Sequence, residues 1–290
     1  MTLAGALVAL ASYTAAAQAR DARVYVSVTD DDDKPLAITA ADVVITEDGS
    51  AREVLRVEKA TAPLQIALLV DDSQAAQGAI NDLRIGLRQF VSKVLAANSE
   101  SQIAVITFGE RPTLLSDYTN SKAQLERAIN RIFARPGSGA YMLEAVISAA
   151  RGVARRDSER AHIIVIGTEG IEFSNDHYQR VLDQLAESRA SLWALTLTAG
   201  QRAPLTEEVR NRNVVLGRGT SVSGGRQELV LANSAVPARL DVFAERLFNQ
   251  YAVTYGRPDV LVPPKRIEVK VTTPGAKVTA PETAPRIRKQ

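Results

Sequence analysis

Four short, unbroken apolar runs, separated by stretches of helical periodicity, constrain the fold of this chain most strongly. The runs are IALLV (66–70), IAVITF (103–108), IIVI (163–166) and LWALTL (192–197). Continuous apolar runs of this length are typical of strands that are buried on both faces. Because strands that alternate with helices connect through right-handed crossovers, we expect an α/β fold: a doubly wound, mostly parallel sheet with helices on both faces.

The stretches between these runs carry apolar residues at the three- and four-residue spacing of amphipathic helices. Four helices are predicted in this way, with inward-facing side chains in the ranges 80–94, 125–132, 143–150 and 181–185. Each is long enough to cross back over the sheet, so the segment from residue 62 to residue 249 is predicted to form one α/β domain.

The two ends of the chain carry a different pattern, in which apolar and polar residues alternate. The alternation covers residues 24–28 and 267–271, and it predicts half-buried, antiparallel strands. The segments DDDDKP (30–35) and EDGS (47–50) are interpreted as turns between such strands, the first of them solvated. We therefore expect a small antiparallel β-domain made of residues 20–61 and 250–290, with the α/β domain inserted between its halves.

Composition excludes several classes of function. The 290 residues include 35 basic and 33 acidic side chains, so the formal charge of +2 gives no global field towards nucleic acid. The absence of cysteine excludes disulfides, thiolate metal sites and a cysteine nucleophile. No stretch approaches the roughly 18 apolar residues of a membrane helix, so we expect neither nucleic-acid binding nor membrane insertion.

The amino terminus predicts export. An apolar stretch at residues 3–11 is too short to span a bilayer, and the small-residue sequence Ala17-Gln18-Ala19 follows it. Residues 1–19 are therefore interpreted as a secretory signal peptide, with a mature chain that begins near Arg20 in the periplasm or outside the cell. An alanine-rich extension of the domain is the alternative.

Five segments of the chain occur in an order that is more specific than any one of them. They are the EDG turn that leads through Pro-Leu into LLVDDS, then VITFGERPTLLSDYTNSKAQLERAI, PGSGAYMLEAV, IIVIGTEG and the tail QYAVTYGRPDVLVPPKRIEVKVTTPGAKV. In this order they resemble secreted bacterial proteins with a von Willebrand factor type A-related domain. The resemblance covers essentially the whole chain after residue 19. It implies an adhesion-type, protein-binding function and a cation site at the carboxyl ends of the sheet.

The ligand set that the resemblance implies is incomplete in this chain. In the family an Asp-x-Ser-x-Ser loop, a threonine and an aspartate hold the cation. Asp71 and Ser73 match the loop, whereas Ala75 replaces its second serine, Ala140 the threonine and Glu169 the aspartate. Methyl groups offer no lone pair, and Mg²⁺ demands near-ideal octahedral oxygen coordination. We therefore predict a vestigial adhesion site without a metal cofactor.

Two alternatives stay open for the same residues. Asp71, Asp72 and Glu169 carry enough negative charge for a water-rich, low-affinity Mg²⁺ site, to which Ser73 would add its hydroxyl. Alternatively, Asp71, Asp72 and Ser73 only end the strand and cap the following helix with their side-chain oxygens, as Ser138 would for the helix near residue 140.

A catalytic alternative combines Asp71 or Glu169 with His177. Against it, the chain has no Gly-x-Ser-x-Gly elbow, no His-Glu-x-x-His helix and no Walker loop. The glycine-rich GRGTSVSGGR (217–226) is interpreted as a flexible turn before the strand ELVL (228–231). We therefore predict a non-enzymatic, exported protein whose partner is another protein, of an identity that the sequence does not specify.

Overall fold

The computed structural model describes residues 19–156, 158–198 and 203–287. Residues 1–18 of the predicted signal peptide lie outside the described residues. The strands are β1 (Ala19–Thr29), β2 (Val43–Glu47), β3 (Ser50–Arg52), β4 (Val54–Lys59), β5 (Gln65–Val70), β6 (Gln102–Thr107), β7 (Thr113–Thr119), β8 (Ala161–Thr168), β9 (Ser191–Leu197), β10 (Gln227–Val230), β11 (Tyr251–Pro258), β12 (Ile267–Val271) and β13 (Lys277–Thr279). The helices are α1 (Ile80–Ala97), α2 (Lys122–Asn130), α3 (Met142–Arg156), α4 (Tyr178–Ser188), α5 (Glu207–Val214), α6 (Thr220–Val222) and α7 (Val236–Phe248).

The central sheet has the strand order β10-β9-β8-β5-β6-β7. Parallel pairing joins β5 to β6 and β8, β8 to β9 and β9 to β10, whereas β7 runs antiparallel to β6 at the edge. The four apolar runs form β5, β6, β8 and β9, so the predicted doubly wound, mostly parallel sheet is confirmed.

Helices cover both faces of this sheet, and the side chains of β5 point alternately to the two layers. Leu68 packs in the cluster that holds α1, α2 and α7, whereas Leu69 packs in the cluster that holds α3 and α4. Every residue of β5 and β9 is buried. This double burial explains why the sequence shows unbroken apolar runs here rather than alternation.

The chain ends form two small antiparallel sheets, of order β13-β1-β11-β4 and β12-β2-β3. Their shared core contains Val24, Val26, Ile45, Val253 and Tyr255. The antiparallel β-domain built from both chain ends is therefore confirmed, while its exact boundaries stay a prediction.

The turn EDGS is confirmed at its centre, but its first residue has a different role. Asp48 and Gly49 have φ angles of 46° and 82°, in the left-handed region that such a turn requires. Glu47 ends β2 with no exposed surface, and its carboxylate accepts hydrogen bonds from Tyr255 Oη (2.5 Å) and Arg257 Nε (3.0 Å). Glu47 is therefore part of a buried ion pair.

The turn DDDDKP is also confirmed as a turn, since Asp30 N donates to Lys34 O and Asp33 has a φ of 62°. The prediction that this turn is only solvated is wrong. Both carboxylate oxygens of Asp33 accept bonds of 2.8 Å from Arg226, which precedes β10. The DDDDKP turn thus contacts the α/β domain.

The prediction of a flexible turn at residues 217–226 is wrong for its first half. α5 continues through a π-helical turn, Val215–Gly219, into α6. A Cβ atom on Gly219 would meet Leu192 Cδ2 at 3.1 Å, and Thr220 Oγ1 donates to Leu216 O at 2.7 Å. The glycine allows close packing rather than flexibility, and β10 follows as predicted.

One buried arginine joins the two crossings between the domains. Arg160 Nη1 donates to Ala62 O (2.8 Å) just before β5, and Nη2 donates to Leu247 O (2.6 Å) and Gln250 Oε1 (3.1 Å) just before β11. The chain therefore enters and leaves the α/β domain at neighbouring points.

Candidate functional site

The carboxylate of Asp71, directly after β5, is held by protein donors. Its Oδ1 atom accepts a bond from Ser73 N (2.9 Å), and its Oδ2 atom accepts bonds from Thr168 N (3.0 Å) and Thr168 Oγ1 (2.6 Å). Asp71 is 1% exposed. These bonds join the end of β5 to the end of β8, so the two strand ends form one edge, as expected for parallel neighbours.

Asp72 belongs to a separate network. Its Oδ1 atom accepts a bond from Gly109 N (2.6 Å), and its Oδ2 atom accepts one from Arg135 Nε (2.9 Å). The hydrogen bond that Arg135 donates to Asp72 raises the pKa of Arg135, whose Nη1 atom also pairs with Glu110 at 3.0 Å. A Cβ on Gly109 would lie 2.7 Å from Asp72 Oδ1, so the approach requires glycine.

Ser73 and Ser138 do not cap helices as predicted. Ser73 precedes a 3₁₀ turn, Gln74–Ala79, without a side-chain capping bond. The hydroxyl of Ser138 donates to Arg135 O (2.9 Å), and α3 begins only at Met142. Asp71 instead accepts a bond from Ser73 N, which closes a local turn directly after β5.

Ala75 and Ala140, at the positions where the resemblance implies hydroxyl ligands, lie against the loop that follows β8. A Cβ on Gly170 would lie 2.5 Å from Ala75 Cβ, so Ala75 packs on this backbone. Ala140 N donates to Ile171 O at 2.8 Å, and Phe173 N donates to Ala140 O at 2.7 Å.

All six predicted site positions therefore lie in loops that contact one another at the carboxyl edge of the sheet. Asp71, Asp72, Ser73 and Ala140 are buried there, whereas Glu169 is half-buried and Ala75 is exposed. We call the surface formed by Ala75, Glu169, Ile171 and Phe173 the carboxyl-edge face.

A buried arginine beneath this face was not found from the sequence. Arg212 of α5 is 5% exposed, and its Nη1 atom donates to Gly170 O at 2.6 Å. Burial lowers its pKa, while the charges of Glu172, Asp71 and Glu169 act in the opposite direction. A fixed positive charge thus lies among these carboxylates. The short polar helix EEVRNRNV has no periodicity that would reveal it.

Glu172 is a second residue that sequence reasoning missed. It is 2% exposed, and its Oε1 atom accepts bonds from Met142 N (3.0 Å) and Ser174 N (3.2 Å), at the start of α3. Its Oε2 atom has no hydrogen-bond partner among the described residues. Burial raises the pKa of Glu172 to about 7.

The side chains at the six predicted site positions do not fit the octahedral oxygen shell of Mg²⁺. Three protein hydrogen bonds already occupy the Asp71 carboxylate, Asp72 is ion-paired, and the two positions at which the resemblance implies hydroxyl ligands carry methyl groups. Within the described part of the chain, no group of three or more histidine, aspartate or glutamate side chains is arranged to hold a metal ion.

His177 lies apart from any serine that it could activate. Its Nδ1 atom accepts a bond from Gln179 N (3.3 Å) at the start of α4, and its ring lies 4.2 Å from that of Tyr178. Ser174 Oγ accepts from Glu144 N (3.4 Å) instead. Across the described ranges, no hydrogen bond joins His177 to a serine, so the nucleophile–base geometry of a hydrolase is not formed by these residues.

Exposed apolar side chains surround the polar centre of the carboxyl-edge face. Ile171 is 49% exposed and Phe173 is 45% exposed. The ring of Phe173 covers Gly139, where a Cβ would lie 2.4 Å from Cε2, and it lies 6.0 Å from the ring of Tyr141. Exposed apolar groups beside polar ones are typical of interaction surfaces.

Comparison with known proteins agrees with this architecture. The family model of the von Willebrand factor type A domain matches residues 66–171. A von Willebrand factor type A protein from Catenulispora acidiphila is similar in structure, with 10% identity, a TM-score of 0.52, and coverage of 91% of this chain and 73% of that one.

Two further solved structures are more distant in shape. The vWF domain of the type V pili tip protein Mfa5 from Porphyromonas gingivalis has 22% identity and a TM-score of 0.34, over 37% of this chain and 38% of that one. BatB from Bacteroides thetaiotaomicron has 15% identity and a TM-score of 0.47, and the match covers 63% of this chain and 98% of that one. The match to Mfa5 thus spans well under half of that chain.

The search of curated proteins gives no match. Among the described residues, no helix has the length and apolar character that crossing a membrane would need. The matched segment runs from β5 to the loop after β8, and it contains every predicted site residue from Asp71 to Glu169. Residues 66–171 of this chain thus match the von Willebrand factor type A domain, and the α/β fold that contains them lies between the two chain segments that form the antiparallel sheets.

Proposed function

We propose that this protein is a non-enzymatic, exported module that binds another protein through the carboxyl-edge face, without a divalent cation in the interface. One observation carries the proposal: the carboxylates that would face a cation are already satisfied by the protein, while Ile171 and Phe173 stand exposed beside them. A binding energy based on apolar contact does not need a metal bridge.

Charge balance supports a site that works without a cation. In a metal-dependent site the ion neutralises the surrounding carboxylates. Here Arg135 pairs with Asp72, and Arg212 lies among Asp71, Glu169 and Glu172. Two permanent cations thus take over part of the neutralisation, and the metal site is vestigial in this proposal.

Export is proposed from the amino-terminal sequence and places the partner in the periplasm or outside the cell. Protein recovered from the producing cell is expected to begin near Arg20, and intact-mass measurement determines this directly. A mass that includes residues 1–19 would contradict export by a cleaved signal.

The binding face is tested by capture from the envelope fraction of the producing cell. The immobilised protein is expected to retain a partner equally well in Mg²⁺ and in EDTA. Ile171→Asp should abolish capture, because a charge replaces an apolar contact. Leu261→Asp is the matched control, since Leu261 is fully exposed on the connection between β11 and β12.

Three results would contradict the proposal. Capture that needs Mg²⁺ would favour the alternative of cation-dependent binding through Asp71, Ser73 and Glu169. Equal loss with Leu261→Asp would place the interface on the β-domain. Capture that is unaffected by Ile171→Asp would exclude the carboxyl-edge face.

A further inference from the structure

A cleft of about 440 Å³ lies between the β-domain and the amino edge of the parallel sheet. Its floor includes the start of β8, whose far end carries Thr168 and the carboxyl-edge face. Seven residue steps of about 3.3 Å along β8 separate the two regions by about 23 Å. The volume falls within the range of small-molecule sites.

The walls of the cleft carry an excess of positive charge. Five arginines line it against two carboxylates, which leaves a formal excess of three: Arg23, Arg56, Arg160, Arg189 and Arg286 against Asp21 and Glu159. Glu159 is already bonded to Arg23 at 2.6 Å and to Tyr25. A concave surface lined by one sign of charge concentrates ions of the other sign.

Arg189 is the arginine whose charge is least compensated. Arg189 is exposed and lines the cleft, and none of the hydrogen bonds or ion pairs among the described residues involves its guanidinium. Partial burial and the charges of Arg286 and Arg257 lower its pKa. Its backbone has a φ of 59° at the end of α4, a left-handed position that glycine or asparagine usually occupies. The helix end thus presents a cation to the cleft from a left-handed backbone position.

His162 supplies a neutral donor on the floor of the cleft. Its Nδ1 atom lies 2.6 Å from Ser191 Oγ, which also accepts a bond from Trp193 Nε1 at 2.8 Å. If the serine proton goes to Nδ1, both groups are satisfied and the imidazole proton lies on Nε2. Burial lowers the pKa of His162 to about 3, so the ring is neutral.

Two buried N–H donors of the cleft therefore lack acceptors. His162 is 3% exposed and Arg160 is 4% exposed, and His162 Nε2 and Arg160 Nε have no hydrogen-bond partner among the described residues. A buried polar atom without a partner is costly, so a ligand oxygen at this position would relieve that cost.

We propose that this cleft binds an amphipathic organic anion of small-molecule size, with its charged group on Arg189 and an acceptor oxygen on the His162 and Arg160 donors. The apolar part of the ligand packs on Ala186, Pro281 and Pro285, which line the same cleft and keep exposed surface. The site is independent of the carboxyl-edge face, so its test leaves the proposed function untouched.

The probe is 8-anilinonaphthalene-1-sulfonate, compared with the uncharged N-phenyl-1-naphthylamine. The native protein is expected to bind one equivalent of the sulfonate, and to bind it more tightly than the uncharged dye. Arg189→Asn should weaken sulfonate binding about tenfold, because it removes a charged hydrogen bond while asparagine tolerates the left-handed backbone. Arg189→Lys keeps the charge and should keep most of the affinity. Arg218→Asn is the control on an exposed arginine outside the cleft.

A second measurement locates the probe. The sequence has only two histidines, so ¹⁵N spectra of a His177→Gln variant report His162 alone. We expect a neutral ring with its proton on Nε2, and a shift of that resonance when the sulfonate binds. An unmoved resonance, or undiminished binding to Arg189→Asn, would overturn the proposal. So would equally strong displacement of the dye by inorganic phosphate, which would indicate a general anion site.

Discussion

Asp71 and Asp72 are neighbours in the chain but belong to different networks. Asp71 joins β5 to β8 through Thr168, whereas Asp72 joins the same loop to Gly109 and Arg135. A single pair of aspartates therefore fixes three loops of the carboxyl edge. Hydrogen bonds from the protein, and not a bound cation, hold these two carboxylates in place.

Restoring the missing hydroxyls tests whether the metal site is vestigial. Wild-type protein at millimolar MgCl₂ should have the same unfolding midpoint as in NaCl of equal ionic strength, because a ligand present at its dissociation constant stabilises by only about 0.4 kcal/mol. The double variant Ala75→Ser, Ala140→Thr should acquire a magnesium-dependent rise in midpoint, which adding Asp71→Ala abolishes. Calorimetric titration that showed saturable micromolar binding to the wild type would contradict the vestigial site.

Glu172 should make stability depend on pH in a predictable direction. Its folded pKa of about 7 lies above the ordinary value of 4.5, so the folded state binds a proton more tightly than the unfolded state does. This contribution is fully present below pH 4.5 and is lost as the pH rises through 7, up to a total of about 3 kcal/mol.

Glu172→Gln keeps the acceptor for Met142 N and Ser174 N but does not titrate. The free energy of unfolding of the variant minus that of the wild type should therefore be larger at pH 8 than at pH 5. Urea unfolding at both pH values measures this difference, and Glu268→Gln is the exposed control. A difference between variant and wild type that is the same at both pH values would contradict the assigned pKa.

At the level of elements, the connection between the domains depends on the segment that precedes β8. Arg160 binds carbonyl groups before β5 and before β11, so it couples three elements that are distant in sequence. Its planar guanidinium offers donors in several directions at once, which a lysine could not reproduce.

Replacing Arg160 should destabilise the connection between the two domains. Arg160→Met has a similar volume but leaves buried carbonyl oxygens without donors, so we expect a loss of about 3 kcal/mol in the free energy of unfolding. Arg218→Met, on an exposed residue, should change stability by less than about 0.5 kcal/mol. Urea denaturation of both variants is the measurement, and equal stabilities would contradict the role of Arg160.

Periodicity was sufficient to predict the elements that depend on burial. β5 and β9 appear as apolar runs because both of their faces are covered, and the end of the first run predicted that Asp71 follows β5 directly. Arg212 and Glu172 could not be predicted, because their roles depend on contacts across 30 or more residues and not on local pattern. Glu47 was interpreted as part of a turn for the same reason, since its partner Arg257 lies 210 residues away.

At the level of the whole molecule, the β-domain depends on its last strands. Removing residues 256–290 deletes β12, which pairs with β2, and β13, which pairs with β1. The truncated protein should unfold at lower temperature and associate through the opened strand edges. Light scattering and thermal unfolding measure both effects, with deletion of residues 288–290 as the control. A monomer with an unchanged midpoint would contradict the inserted arrangement.

The pairing of β1 with β11 also determines the order in which the molecule can be completed. Val24 lies opposite Val253, so more than 200 further residues are synthesised before β1 can pair with β11. Over the same interval the α/β domain acquires all of its strands, from β5 to β10. Because domains fold as units and distant contacts form slowly, we expect the inserted domain to fold first and to bring the two halves of the β-domain together. Assembly would then proceed from the middle of the chain outwards, and the terminal strands would pair last.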